Sequence, residues 1–232
     1  MAAGDRQWQQ LVVAAAGELG VVLSAAQASQ MGLLAGELLA WNRRVNLTAI
    51  TDPAQVALKH FADALAAANR LPLHARVLDV GTGAGFPGLA LKIARPDLCL
   101  TLIDAVRKKI SFVNHGIRLL GLAQTTARHV RLESLGREMP RPVFDVVVCR
   151  AVGALSGWVA AAAALLSANG MILAYKGPLA GREIADLAGA PGAPAVLVAG
   201  GRSLAVTVRE YRLPVTGDRR TLVQMACLTD QP

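Results

Sequence analysis

The chain has few cysteines and few histidines. Only three of its 232 residues are cysteine, and they lie far apart inside apolar runs. An odd number of cysteines without close spacing argues against a disulfide framework or a zinc site, and it is typical of the reducing cytosol. The four histidines show no metal-ligand spacing. We therefore expect a cytoplasmic protein without a metal, and the opening MAAGDRQWQQ does not have the pattern of a signal peptide.

Acidic residues are scarce as well. The chain has 16 Asp and Glu residues against 24 Lys and Arg residues, which gives a net charge of +8. A basic surface favours a polyanionic partner such as nucleic acid or an anionic membrane, although a basic protein need not bind either. The hydrophobic fraction of 53% excludes a disordered protein, and it suffices for one domain with a sizeable core.

One long uncharged run raises the alternative of a membrane protein. Between Arg150 and Lys176 there are 25 residues without a charge, which is enough to cross a bilayer. The pair Asn169-Gly170 interrupts this run where a helix would end, and further glycines weaken it. We therefore predict a buried helix over residues 155–168, then a turn and a strand, and no membrane span.

The order of the apolar patterns predicts an α/β protein. Residues 1–70 have apolar positions at helical spacing, and a helix that begins at Pro53 is expected to run to about residue 69. The rest of the chain alternates short apolar runs with helical patterns, which indicates βαβ units and a parallel sheet. We expect the helical extension, residues 1–70, to pack on the core, residues 71–232, as one compact unit.

The last part of the chain has weaker patterns. A helix is predicted from about Ala180, and residues 188–199, which are rich in Gly, Pro and Ala, are the best candidate for a loop. Residues 195–228 contain two or three strand-like stretches and no strong helix. We expect these stretches to add antiparallel strands at the edge of the sheet.

The segment VLDVGTGAGFPG, residues 77–88, carries the most information about chemistry. A strand passes directly into a glycine-rich turn, and a helix follows. Gly81 and Gly83 let the backbone turn sharply and approach a ligand closely, and the first N–H groups of the helix face the same place. Asp104 ends the next strand, where its carboxylate can accept both hydroxyls of a ribose. The pattern therefore predicts a nucleoside-containing cofactor.

The glycine spacing alone leaves the cofactor open. Gly83-x-Gly85-x-x-Gly88 also matches the fingerprint of dinucleotide-binding proteins, and a purely structural glycine-rich turn would have the same residues. Asp79, at the carboxyl end of the strand, favours one alternative. An anion there would repel a pyrophosphate but would attract an ammonium or a sulfonium group. S-adenosylmethionine carries both cations and no phosphate, so the residues favour it over a nicotinamide dinucleotide.

Several further motifs follow one another in order along the chain. WNRRVNLT begins at Trp41, KHFAD covers residues 59–63, and Arg150-Ala151 and Lys176-Gly177 follow the glycine-rich block. From about residue 35 to about residue 228, this set resembles the RsmG (GidB) family of bacterial 16S rRNA guanine-N7 methyltransferases. The family usually has H-x-x-D-S, whereas Ala64 replaces the Ser here, so any hydroxyl role at that position is absent.

The resemblance implies a Rossmann-like class I S-adenosylmethionine-dependent methyltransferase fold with an N-terminal helical extension. It implies methylation of N7 of a specific guanosine, with 16S rRNA, free or in the small ribosomal subunit, as the partner of a monomeric enzyme. The residues predicted to bind the cofactor, from the motif or from the resemblance, are Asp79, Gly81, Gly83, Phe86, Asp104, Leu132, Glu133 and Arg150.

Guanine N7 has an exposed lone pair and no proton, so its methylation needs no general base. We therefore expect catalysis by positioning and electrostatics. The resemblance places Asn46, His60 and Asp63 near the catalytic cleft, and Arg150 is placed to meet cofactor or RNA phosphate. The alternative for the first three is helix capping and helix–helix hydrogen bonding.

The basic residues cluster at several places, and each cluster is a candidate for contacts with RNA phosphates. A solvated basic face is the alternative for each cluster. The candidates for RNA binding are Arg43, Arg44, Arg107, Lys108 and Lys109, and Arg128 with Arg131 is a further pair. Two other functions stay open: an S-adenosylmethionine-dependent enzyme that acts on another RNA or a small molecule, and an RNA-binding module without catalysis.

The choice of cofactor gives the first testable prediction. Because of Asp79 and Asp104, we expect the chain to bind S-adenosylmethionine, or its demethylated product S-adenosylhomocysteine, in the micromolar range and to bind NAD negligibly. Calorimetric titration with each ligand measures this difference. Tight binding of NAD without a response to either sulfur compound would contradict the prediction.

Overall fold

The computed structural model describes residues 1–139, 141–177, Glu183 and 196–228. A sheet of eight strands lies at its centre, in the spatial order β3-β2-β1-β4-β5-β8-β7-β6. The strands are β1 (Arg76–Val80), β2 (Cys99–Asp104), β3 (Thr125–His129), β4 (Phe144–Arg150), β5 (Leu166–Lys176), β6 (Val196–Ala199), β7 (Arg202–Arg212) and β8 (Arg219–Cys227).

The first five strands pair in parallel, and β8, β7 and β6 continue the sheet as antiparallel strands. Strand β1 is buried at every position after its first residue, which is typical of a strand covered on both faces. The predicted parallel sheet with an antiparallel edge is confirmed. Its parallel strands bring the carboxyl ends of β1, β2 and β4 to one edge of the sheet, and the candidate site lies there.

The helices cover both faces of the sheet, and several of them are short. The segment after Pro53 is a continuous helical stretch that widens into one π-helical turn over Ala57–Ala62 and ends in a 3-10 turn at Ala68–Arg70. The α-helices are α1 (Arg6–Glu18), α2 (Ala25–Asn42), α3 (Pro53–Val56), α4 (Asp63–Leu65), α5 (Gly88–Ala94), α6 (Arg107–Leu120), α7 (Leu132–Glu138) and α8 (Val159–Ala163).

The N-terminal helices pack against one face of the sheet. Asp5 caps α1 by accepting a hydrogen bond from the backbone N–H of Trp8, and Ser24 forms a capping box at the start of α2. One apolar cluster contains Trp8 and Phe61 from the extension together with Val77 and Leu91 from the α/β part. Burial of this shared apolar surface holds the extension on the sheet.

The helix predicted over residues 155–168 is wrong in its second half. Only a 3-10 turn, Leu155–Gly157, and the short α8 form, and β5 already begins at Leu166. The backbone N–H groups of Val143 and Phe144 both donate to the carbonyl of Leu165, which draws this segment into the sheet. Residues 167–170 then bulge between the pairs that Leu166 and Met171 make with β4. Pairing with a distant strand thus overrides the local alanine-rich pattern.

The loop predicted over residues 188–199 is wrong at its end. Val196–Ala199 forms β6 and pairs with β7, because Gly200 and Gly201 adopt positive φ angles of 58° and 74° and close a tight hairpin turn. The rest of this predicted loop, and the helix predicted from about Ala180, lie outside the described residues apart from Glu183.

A buried polar cluster joins the helical extension to the sheet at the carboxyl end of β4. The guanidinium of Arg150 donates to the carbonyl of Lys59 at 2.8 Å and to Asp63 Oδ2 at 3.2 Å. Asp63 Oδ1 accepts a 2.7 Å hydrogen bond from the hydroxyl of Tyr211 on β7 and lies 3.6 Å from Nε of Arg220 on β8. This Asp63 junction therefore holds together the extension, the parallel strands and the antiparallel strands.

His60 is the neutral member of the same junction. Its Nδ1 accepts a 3.1 Å hydrogen bond from Arg150, so its Nε2 carries the proton and donates to Thr48 Oγ1 at 2.9 Å. Burial, with a smaller effect of the Arg150 charge, lowers the pKa of His60 to about 3. Thr48 is held by Asn42, whose carboxamide makes three hydrogen bonds to the backbone of Leu47 and Thr48.

The low pKa of His60 predicts how stability depends on pH. The unfolded chain binds a proton at this residue below about pH 6.5, whereas the folded chain resists protonation down to about pH 3, so stability is lost as the pH falls through this window. We expect His60→Gln to destabilise the protein at pH 7 by about 1–3 kcal/mol, because Arg150 and Thr48 lose their hydrogen bonds to the imidazole ring. This difference should shrink as the pH falls from 6.5 towards 4.

Urea unfolding of wild type and variant across that pH range measures the difference. The matched control is His74→Asn, since His74 is exposed, is not part of the junction, and has a positive φ of 56° that Asn tolerates. A penalty for His60→Gln that stays constant with pH would mean that His60 titrates normally in the folded protein.

Candidate functional site

The glycine-rich turn after β1 is held by hydrogen bonds from its own backbone. Thr82 N–H donates to the carbonyl of Ile103 at 3.0 Å, and Gly83 N–H donates to Asp104 Oδ2 at 2.9 Å. Gly81 and Gly83 have φ angles of 65° and 60°, a region that residues with a Cβ rarely adopt. The turn therefore brings the end of β1 and the carboxylate at the end of β2 together, as the motif predicts.

Asp79 lies beneath this turn and is fully buried. Its Oδ2 accepts hydrogen bonds from Thr82 Oγ1 at 2.6 Å and from Gly88 N–H at 2.8 Å. Its Oδ1 has no partner among the residues that the structure describes, and burial raises the pKa of this carboxyl to about 6. The observed contacts of Asp79 thus hold the turn and the start of α5 in place.

A pocket of about 150 Å³ opens beside the turn at the carboxyl edge of β1 and β2. It brings together four of the residues predicted to bind the cofactor and seven others, of which only Arg131 was a candidate, for RNA binding. The predicted four are Gly81, Asp104, Leu132 and Glu133, and the others are Val80, Ile103, Ala105, Val130, Arg131, Val152 and Trp158.

Val152 narrows this pocket at its glycine-rich wall. A Cβ added to Gly81 would collide with Val152 Cγ2, so the valine occupies the space that the glycine leaves free. The volume is below the range of about 300–1,000 Å³ that is usual for small-molecule sites. Val152 follows Ala151, which has a positive φ of 59°.

Phe86 and Arg150 lie next to the pocket, in the Asp63 junction. Phe86 is 3% exposed and stacks on His60 with 4.9 Å between ring centroids. The guanidinium carbon of Arg150 lies 5.6 Å from the centre of the Phe86 ring. The glycine-rich turn is therefore packed directly onto the helical extension.

The candidates for catalysis occupy two different environments. Asn46 is exposed after the end of α2, and the structure assigns it no side-chain hydrogen bond within the described part of the chain. His60 and Asp63 are buried and fully engaged with Arg150, Thr48 and Tyr211. The alternative interpretation was helix capping and helix–helix hydrogen bonding, whereas these bonds join the helical extension to the sheet and to the loop at Thr48.

The basic candidates lie on two neighbouring helices. Arg43 and Arg44 are exposed at the end of α2, and Trp41 just before them packs its ring against Phe112 and His115 of α6. Arg107 and Lys108 are exposed in the first turn of α6, whereas Lys109 is half-buried with Nζ 3.9 Å from Asp104 Oδ2. Of the further pair, Arg128 is ion-paired with Glu138 and Arg131 lines the pocket.

Sequence reasoning missed Val152 and Trp158, which form one wall of the pocket. Both follow the carboxyl end of β4, the edge at which open α/β sheets bind their ligands, and this position was the signal available. The structure contains no group of three or more potential metal ligands within the described ranges. None of the described helices is long and apolar enough to cross a membrane.

Comparisons with known sequences identify relatives along almost the whole chain. The model of the GidB family, rRNA small subunit methyltransferase G, matches residues 27–196. Ribosomal RNA small subunit methyltransferase G of Geobacter sp. (strain M21) is 43% identical over 215 residues, which cover 93% of this chain and 95% of the relative. The protein of the same name from Myxococcus xanthus (strain DK1622) is 38% identical over 209 residues, 90% of this chain and 92% of the relative.

Solved structures share the Rossmann-like methyltransferase fold. A predicted O-methyltransferase from Agrobacterium tumefaciens, protein Atu636, matches 68% of this chain and 76% of its own length at 18% identity, with a TM-score of 0.54. An rRNA methylase from Streptococcus thermophilus matches 70% of this chain and 92% of its own length at 15% identity, with a TM-score of 0.50. These structures bear on the fold alone, whereas the family model and the sequence relatives span most of the chain; the chain therefore belongs to the GidB family, rRNA small subunit methyltransferase G.

Proposed function

We propose that this protein transfers a methyl group from S-adenosylmethionine to N7 of a guanosine in 16S rRNA of the small ribosomal subunit. The observation that carries the proposal is the pocket in which Gly81 and Asp104 meet at the carboxyl edge of the sheet. Membership of the GidB family and the names of the relatives support the choice of rRNA as substrate.

The residues of the pocket fit a nucleoside. Asp104 accepts one backbone N–H at each oxygen, from Gly83 and from Val106 at 2.9 and 2.8 Å. Each carboxylate oxygen has a second lone pair, so Asp104 can still accept two ribose hydroxyls. Gly81 offers a wall without a Cβ, and Leu132 offers an apolar surface for a base.

The chain's part in the reaction is positioning. S-adenosylmethionine supplies an electrophilic methyl group when it is bound, and guanine N7 needs no base to attack it. His60 is neutral and Asp63 is fully paired, so neither is free to exchange a proton with substrate. We propose that these residues hold Arg150 and Phe86 beside the cofactor pocket, and that Asn46 faces the RNA.

Exposed arginines and lysines are proposed to hold the RNA through its phosphates. Arg43 and Arg44 end α2, Arg107 and Lys108 begin α6, and these helices pack on each other through Trp41. Lys109 extends this surface to Asp104 in the pocket. We propose that residues 1–70 and the core 71–232 act as one unit, because the RNA surface is built from both parts and extends to a pocket in the core.

The proposed reaction is tested with Gly81→Ala. The new Cβ would collide with Val152 Cγ2 and would require a strained positive φ, so it should displace the pocket wall and lower methylation by at least about tenfold. The control is Gly121→Ala, whose φ of 60° imposes the same strain with no atom within 4 Å of the added Cβ.

The measurement is the mapping of N7-methylguanosine in 16S rRNA from cells that lack the gene and are complemented with each variant. Wild type and Gly121→Ala should restore one modified guanosine, and Gly81→Ala should not. Absence of any N7-methylguanosine that depends on the gene would overturn the proposed function.

The proposed RNA surface predicts how binding depends on salt. Each phosphate contact adds about 0.7 to 0.9 to the slope of log affinity against log salt concentration. Neutralising Arg43 and Arg44 with glutamine should therefore weaken binding to 16S rRNA, flatten its salt dependence and leave the affinity for S-adenosylhomocysteine unchanged. Asp104→Ala serves as the contrasting variant. It should lower the affinity for S-adenosylhomocysteine and leave RNA binding unchanged.

The test measures RNA affinity across a series of salt concentrations for wild type, the Arg43/Arg44 double variant and Asp104→Ala. A titration with S-adenosylhomocysteine measures the cofactor affinity of the same proteins. A double variant that keeps the wild-type slope would mean that Arg43 and Arg44 are a solvated helix end and that the RNA lies elsewhere.

A further inference from the structure

Trp158 carries an unpaired buried hydrogen-bond donor. Its side chain is 4% exposed, and its indole N–H has no partner among the residues that the structure describes. Buried indole N–H groups usually donate to an acceptor, because a buried donor without a hydrogen bond lowers the stability of the fold. Trp8 shows the usual arrangement, since its Nε1 donates to the carbonyl of Pro53 at 2.8 Å.

The position of Trp158 connects this donor with the candidate cofactor pocket. The indole lines the same pocket as Asp104, Val130 and Leu132. The ring is held in a second apolar cluster of the sheet, and the backbone N–H of Trp158 donates to the carbonyl of Leu155 at 3.2 Å. A buried donor without a partner, on a residue that lines a pocket, points to an acceptor on the ligand.

The chemistry of the pocket narrows the kind of acceptor. Asp104 is an anion that suits hydroxyl donors such as those of a ribose, whereas an indole N–H is a neutral donor that suits an aromatic ring nitrogen. The other polar side chains on the pocket wall, Arg131 and Glu133, are charged and exposed. A purine presents ring nitrogens of the required kind on an otherwise flat apolar body that Val130 and Leu132 can cover.

We propose that the indole N–H of Trp158 donates a hydrogen bond to a ring nitrogen of the adenine of the cofactor and thereby selects for this base. This inference rests on the proposed use of S-adenosylmethionine. The N–H itself is covered in the structure, and Val152 narrows the pocket, so the bond forms when the segment around Val152 shifts and the base enters. Trp158 is thus a specificity-determining residue that the motifs do not contain.

The variant Trp158→Phe removes the N–H and keeps an aromatic ring. Affinity for S-adenosylhomocysteine, measured by calorimetry, should fall by about three- to tenfold, the range of one neutral hydrogen bond. The melting temperature of the ligand-free protein should fall less than that of Trp8→Phe, because Trp158→Phe loses packing volume but breaks no hydrogen bond of the side chain. The matched control is Trp8→Phe, which should lower the melting temperature and leave the affinity unchanged.

Analogues of S-adenosylhomocysteine that lack one ring nitrogen, at position 1, 3 or 7 of the adenine, identify the acceptor. One of the three should bind wild type more weakly than S-adenosylhomocysteine and should bind Trp158→Phe with the same affinity as wild type. Unchanged affinity of Trp158→Phe for S-adenosylhomocysteine would overturn the inference, and so would an equal loss with all three analogues. If wild type itself fails to bind S-adenosylhomocysteine, the proposed function falls and this inference with it.

Discussion

The ion pair between Asp63 and Arg150 is the contact on which the arrangement of this protein depends. Both side chains are largely buried, at 7% and 15% exposure, and a buried charge without its partner is strongly destabilising. Three parts of the chain meet there: the helical extension that carries Asp63, the parallel strand that ends at Arg150, and the antiparallel strand that supplies Tyr211. None of the three can move without leaving a buried polar group unpaired.

The candidate site follows from this constraint. Arg150 ends β4, and the next residues, Ala151 and Val152, pass directly to the wall of the pocket. Phe86 connects the glycine-rich turn to His60, so the same junction also holds this turn. The candidate pocket is thus positioned by the helical extension through Arg150 and Phe86, and no residue of the extension is among the described residues that line it. This arrangement gives His60 and Asp63 a structural role that requires no proton transfer.

Sequence patterns predicted the parts of the structure that depend on local chemistry. The glycine-rich turn and Asp104 were found because a positive φ and a strand-ending carboxylate leave a signal within a few residues. The early start of β5 was missed because it depends on pairing with Phe144, more than twenty residues away. Trp158 was missed for the same reason, since only the topology brings it to the same pocket as Leu132. The sequence indicated Asp79, but not that it lies beneath the turn.

The Asp63 junction is tested most directly by a double-mutant cycle in urea unfolding with Asp63→Asn and Arg150→Gln. Each single variant should lose up to about 3–5 kcal/mol of unfolding free energy, because each breaks a buried ion pair. The remaining charge keeps only its other contacts, Tyr211 and Arg220 for Asp63 and the carbonyl of Lys59 for Arg150. The double variant should lose little more than either one, which gives a coupling energy well above about 1 kcal/mol. Losses that add to within about 0.5 kcal/mol would contradict the account, because the two residues would then stabilise the fold independently.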